Sequence, residues 1–154
     1  MADFIDALKH KYKTGNVITR LILINAFVFI AMKIIGVIIT LFNIHSVDLV
    51  SFLGVPSNIP LLLSRFWTLF TYMFVHEGFL HLLFNMLWLY WFGQIFLQYF
   101  TGRSLGSLYV LGGLAGAILY VIAFNTIPYY TDMGSGWMIG ASAAVMSIVM
   151  GAAF

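Results

Sequence analysis

The sequence predicts an all-α membrane protein with four transmembrane helices and a long membrane-associated first loop. Composition is the first observation behind this: the 154 residues are 62% hydrophobic and 8% charged, with a mean hydropathy of +1.02. Soluble domains are about 45–50% apolar and roughly 25% charged, and a water-soluble fold of this size could not hide so much apolar surface. Patterning is the second: apolar runs near the length of a membrane span, about 20 residues, alternate with polar breaks.

Residues 1–17 are polar and basic and read as a short amphipathic lead-in. Lys9, Lys11, Lys13 and Arg20 cluster here and apolar chain follows at once. That placement is a topology signal rather than a nucleic-acid patch, and it puts the lead-in on the cytoplasmic side. Residues 18–42 are the first span. Its apolar run from Leu21 to Phe42 exceeds the about 7–15 residues of a signal-peptide core, so it is read as retained. Lys33 within it is costly in lipid and should face protein or water, or snorkel to an interface.

Residues 43–79 carry Asp48, Pro56, Pro60, Arg65 and Glu77 between short apolar runs. They read as short interfacial helices, with Trp67 and Tyr72 as membrane-surface anchors. Residues 80–100 are the second span, Thr101-Gly102-Arg103-Ser104 a tight turn, and residues 105–127 the third span. Residues 128–136 form a polar loop, and residues 137–154 begin a fourth span that looks cut short. Residues 18–154 thus make up an incomplete membrane domain. Arg103 belongs with the basic cluster on the cytoplasmic side. The second and fourth spans then both enter from the opposite side. His81, Asn85 and Ser142 consequently fall at similar depth on one side of the membrane.

Absence of cysteine excludes a thiolate nucleophile, disulfides and cysteine-ligated metal together. Ser142 lies in Gly140-Ala141-Ser142-Ala143-Ala144. Small neighbours leave a serine open to a substrate backbone, and helix-start N–H groups can face an oxyanion. The same stretch also reads as helix packing. His81 and Asn85 share one helical face, and both can donate to an oxyanion. Tying the second span to its neighbours is the alternative role for His76, His81 and Asn85. Glu77 directly follows His76 and lacks the spacing of a zinc-protease helix, so neither metal nor cofactor is expected. Gly112 with Gly116, Gly136 with Gly140, and the Ala143, Ser147, Gly151 stripe read as packing. Trp88, Tyr90, Trp91 and Phe92 read as lipid-facing or interfacial.

The stretch from His76 through His81 to Asn85 resembles the H-x-x-x-x-H-x-x-x-N signature of rhomboid intramembrane serine proteases. Gly140-Ala141-Ser142-Ala143 is similar to their G-x-S-G nucleophile motif, and Trp67-Thr68-Leu69-Phe70-Thr71 looks like their first-loop region. The resemblance runs from about residue 17 to Phe154. It implies a rhomboid-like helical bundle, with four of an expected six transmembrane helices present. It implies cleavage of transmembrane protein substrates by a Ser-His dyad: Ser142 as nucleophile, His81 and Asn85 with the Ser142 N–H as oxyanion hole, and His76 supporting near the water-access side. Three departures stand out. Ala143 replaces glycine, Thr68 follows Trp67 where arginine is usual, and no histidine follows Ser142.

A serine hydroxyl is a weak nucleophile without an adjacent base. The 154-residue chain alone is therefore expected to be inactive, and a version extended by two spans active. The partners expected are transmembrane proteins and the bilayer, not nucleic acid, in a multi-pass protein of a bacterial inner membrane. Two other readings remain open: a rhomboid-like protein that binds transmembrane helices without cutting them, and a small transporter or channel subunit, for which Lys33 is the one deep charge.

Overall fold

The computed structural model describes residues 2–44 and 48–154, with side chains from residue 5 onward. Helix α1 (Ala2–Thr14) ends where the Gly15 N–H bonds the Lys11 carbonyl at 2.9 Å. Helix α2 (Val17–Leu41) starts at once, because the Asn16 side chain accepts the Thr19 N–H at 3.0 Å. Among the described residues, helix α6 (Phe79–Tyr99) and helix α7 (Gly102–Thr126) are the other two helices long and apolar enough to cross a membrane. At about 1.5 Å per residue all three reach or exceed the roughly 30 Å hydrocarbon core.

Between α2 and α6 lie α3 (Leu49–Leu53), strand β1 (Val55–Pro56), α4 (Ile59–Ser64), α5 (Thr68–Thr71) and a 3₁₀ turn (Tyr72–Phe74). After α7 come α8 (Pro128–Asp132), strand β2 (Trp137–Met138) and α9 (Ser142–Ala153). The expected short helices of the first loop are therefore present.

Four expectations are corrected. The Thr101–Ser104 turn is mostly helix: Thr101 caps α7 by accepting the Ser104 N–H at 3.2 Å, and the helix begins at Gly102. The 128–136 loop contains α8. The fourth apolar segment is not helical from 137. Its first residues pair with β1 in an antiparallel two-stranded sheet, Val55 opposite Met138 and Pro56 opposite Trp137, so the fold is not wholly α. The apolar helix that follows, Ser142–Ala153, has 12 residues, and among the described residues three helices are of spanning length. Finally, Tyr72 is no surface anchor: it is fully buried, and its hydroxyl donates to the Gly113 carbonyl at 2.7 Å.

Helix α9 packs between α6 and α7, and small residues set the closeness. A Cβ on Gly112 would collide with Ser147, and one on Gly116 with the Ala143 methyl. Ser147 Oγ crosses to the Leu108 carbonyl at 2.9 Å. This stripe of Ala143, Ser147 and Gly151 packs as expected. The second glycine pair does not, because Gly136 and Gly140 precede the helix. Gly136 instead exchanges bonds with Ser57: its N–H reaches Ser57 Oγ at 2.9 Å, and its carbonyl accepts the Ser57 N–H at 3.0 Å.

The two ends of the bundle differ in charge. Val17 packs against Gly102 and Gly106, so the start of α2 meets the α6–α7 turn. Lys9, Lys11, Lys13, Arg20 and Arg103 share this end. Lys33 lies toward the other end, where its ammonium donates to the Glu77 carbonyl at 2.8 Å and lies 5.3 Å from the Phe29 ring centre. That bond meets the need for a protein partner.

Candidate active site

Three segments converge at the end away from the basic cluster. The first is the Tyr72–His76 turn, the second the start of α6, and the third the Gly140–Ser142 approach to α9. The first loop is held by its own side chains. Arg65, Trp67 and Thr71 donate to the successive carbonyls of Ser51, Phe52 and Leu53 at 2.8, 3.0 and 2.7 Å, which satisfies the end of α3. Arg65 thus does its work from two residues before Trp67.

The turn before α9 is then tied down by two backbone donors. The Gly140 N–H bonds the Tyr72 carbonyl at 2.9 Å, and the Ala141 N–H points at His76 Nε2 at 3.4 Å. Gly140 has φ of +109°, open to glycine, and a Cβ there would stand 2.6 Å from His81 Nε2. The His81 ring therefore lies directly against the Gly140 backbone.

Ser142 is the first residue of α9 and is exposed. The first bond of the helix runs from the Val145 N–H to the Ala141 carbonyl at 2.8 Å. The N–H groups of Ser142, Ala143 and Ala144 are thus the first-turn donors without an intrahelical acceptor. An open cavity of about 290 Å³ lies beside them, lined by His81, Asn85 and Ser142 together with Phe84, Trp88, Val145 and Met146. The three residues predicted to share a depth share one cavity.

Asn85 is buried, and its amide donates to the His81 carbonyl at 2.9 Å. One of its two N–H bonds is spent inside the helix, and the other has no acceptor among the described residues. His76 is only 3% exposed, and it borders an opening lined also by Lys33, Asp48 and Glu77. Its Nε2 accepts from Ala141, so the proton sits on Nδ1, which faces the Phe74 carbonyl at 3.3 Å. Its ring meets that of His81 edge-on, centres 5.0 Å apart. Burial chiefly, and the neighbouring His81 next, push the His76 pKa down to about 4, against a smaller opposing effect of the Phe74 bond. His76 is therefore a neutral structural bridge between the His81 ring and the Ala141 N–H.

Among the described residues no histidine is hydrogen-bonded to Ser142 Oγ. Sequence reasoning missed two contributors. Tyr72 holds the Gly140 N–H, a pairing across the chain with no local signal. Trp88 borders the cavity, and here a signal existed: positions 81, 85 and 88 fall on one helical face.

The family model for the Rhomboid domain matches residues 63–154, more than half of the chain and every residue of this site. The chain belongs to the rhomboid family. It is similar to RHOMBOID-like protein 5 of Arabidopsis thaliana, 32% identical over 81 residues that make up 53% of this chain and 26% of that protein. It is also similar to RHOMBOID-like protein 12, mitochondrial, of the same plant, 31% identical over 96 residues, 56% of this chain and 29% of the relative. The matched region is under a third of the length of these curated relatives. Both are plant proteins, so nothing in the comparison points to a bacterial membrane. No solved structure matches the chain significantly.

Proposed function

We propose that this rhomboid-family chain carries the nucleophile and oxyanion site of an intramembrane serine endopeptidase acting on transmembrane proteins. One observation carries the reading: Ser142 stands exposed at a helix start and lines one open cavity with His81 and Asn85. Attack by Ser142 Oγ on a peptide carbonyl would place negative charge beside the first-turn N–H groups of α9. The second Asn85 N–H and the His81 ring stand on the facing wall. The Tyr72 and His76 bonds to residues 140 and 141 keep those donors in place before substrate arrives.

Ser142 needs a base to become nucleophilic, and among the described residues no histidine is hydrogen-bonded to Ser142 Oγ. That gap favours a second reading, a family member that binds transmembrane helices without cleaving them.

A fluorophosphonate probe separates the two readings when applied to the natural full-length protein in membranes. The protease reading expects covalent labelling that Ser142→Ala removes, with the stability of the fold unchanged because Ser142 Oγ has no hydrogen bond among the described residues. Absence of labelling in a folded protein would leave helix binding as the function.

A further inference from the structure

A second cavity lies at the opposite end of the molecule, in the angle between α1 and α2, with a volume of about 430 Å³. Its rim is cationic and its floor apolar. Lys9, Tyr12 and Lys13 follow at helical spacing on one face of α1, and Leu23, Ile24 and Phe27 of α2 form the other wall. Phe27 is 72% exposed and Tyr12 44%, so this end of the apolar wall lies open. The corner is built rather than loose. Arg20 reaches back from α2 to the carbonyls of Tyr12 and Lys13 at 3.0 and 3.1 Å, with its guanidinium 5.7 Å from the Tyr12 ring centre. This fixes the end of α1 that bears Lys13. Of the two rim lysines, Lys9 has among the described residues one distant acid, Asp6 at 3.9 Å on an exposed surface.

We propose that this groove is a binding site for one anionic glycerophospholipid of the surrounding bilayer. The phosphate would sit between Lys9 and Lys13, with the tyrosine hydroxyl as a further donor. An acyl chain would run along Leu23, Ile24 and Phe27, where α2 descends into the hydrocarbon. Two lysines and an aromatic above an apolar strip are complementary to an anionic head on an apolar tail, at the depth where both meet. Bound lipid would hold α1 flat on the membrane and set the start of α2.

The chain in nanodiscs of zwitterionic lipid doped with phosphatidylglycerol tests this, with retained lipid counted by native mass spectrometry. One tightly retained anionic lipid is expected. The double variant Lys9→Gln/Lys13→Gln should lower its retention roughly 10- to 30-fold. Lys11→Gln, outside the groove, should leave retention within about twofold. Leu23→Asn should weaken lipid retention but not binding of inorganic phosphate, which distinguishes a lipid from a free anion. Equal losses from Lys11→Gln and from the groove lysines would mean diffuse attraction by the basic end and would overturn the proposal. So would unchanged retention in the double variant.

Discussion

Gly140→Ala is the most direct probe of the site's construction. The backbone there has φ of +109°, which a side chain adopts at a cost of about 1–3 kcal/mol. The new methyl would also stand 2.6 Å from His81 Nε2 and 2.7 Å from Cε1. The ring meets His76 on one side and borders the open cavity on the other, so it must turn toward the cavity to make room, and such overpacking adds about 1–3 kcal/mol. The loss expected is therefore about 2–6 kcal/mol, measured as unfolding free energy in a denaturant titration in mixed micelles. The two contributions separate in a double-mutant cycle. In a His81→Ala background the collision is gone and only the backbone cost remains, so Gly140→Ala should cost about 1–3 kcal/mol less. A loss below about 0.5 kcal/mol, or the same loss with and without the His81 ring, would refute the placement of His81 against Gly140.

Two further outcomes are expected. His76 is buried neutral with its pKa lowered to about 4, so the unfolded chain binds its proton more readily. Its contribution is fully present above about pH 6.5 and is lost as pH falls toward 4, on the order of 2–3 kcal/mol. Protonation would also cancel the acceptor for the Ala141 N–H. A pH titration of stability should show this decline, and His76→Gln should flatten it; an equally steep decline in the variant would assign it to other groups. Tyr72→Phe removes the bond to the Gly113 carbonyl but keeps the backbone bond to Gly140. Because the Gly113 carbonyl can keep its helical partner, the cost should be about 1 kcal/mol in the same titration. A cost above about 3 kcal/mol would mean that the hydroxyl holds the whole junction.

The spans were the most legible part of the fold, because a lipid solvent forces long apolar helices and their ends follow from capping. The first and second lie within a residue of expectation, at Val17–Leu41 and Phe79–Tyr99. The start of the fourth was misplaced for a definite reason. Residues 137–141 are as apolar as a helix would require, but Trp137 and Met138 pair with β1, the Gly140 N–H with the Tyr72 carbonyl and the Ala141 N–H with His76. Hydropathy reports the solvent of a segment, not where its backbone bonds go. Of the site, the pairing of Ser142 with His81 and Asn85 was visible from topology and helical spacing. The burial of His76 and Tyr72 was not, since their partners Ala141 and Gly113 lie far along the chain and nothing local marks them.

Ala143 illustrates how a departure in the nucleophile motif is absorbed. The motif favours glycine after the serine, and the extra methyl here must go somewhere. It points at α7, where Gly116 has no side chain, and a Cβ on Gly116 would collide with it. One methyl of space is thus shared between two helices, and this chain places it on α9. One turn further along, Gly112 makes the same room for Ser147, which uses it to reach the Leu108 carbonyl. The small residues of α7 and α9 therefore act on the site indirectly. They set the distance between the helices, the distance fixes where α9 begins relative to α6, and that start puts the Ser142 hydroxyl and the first-turn N–H groups on the same cavity as His81 and Asn85.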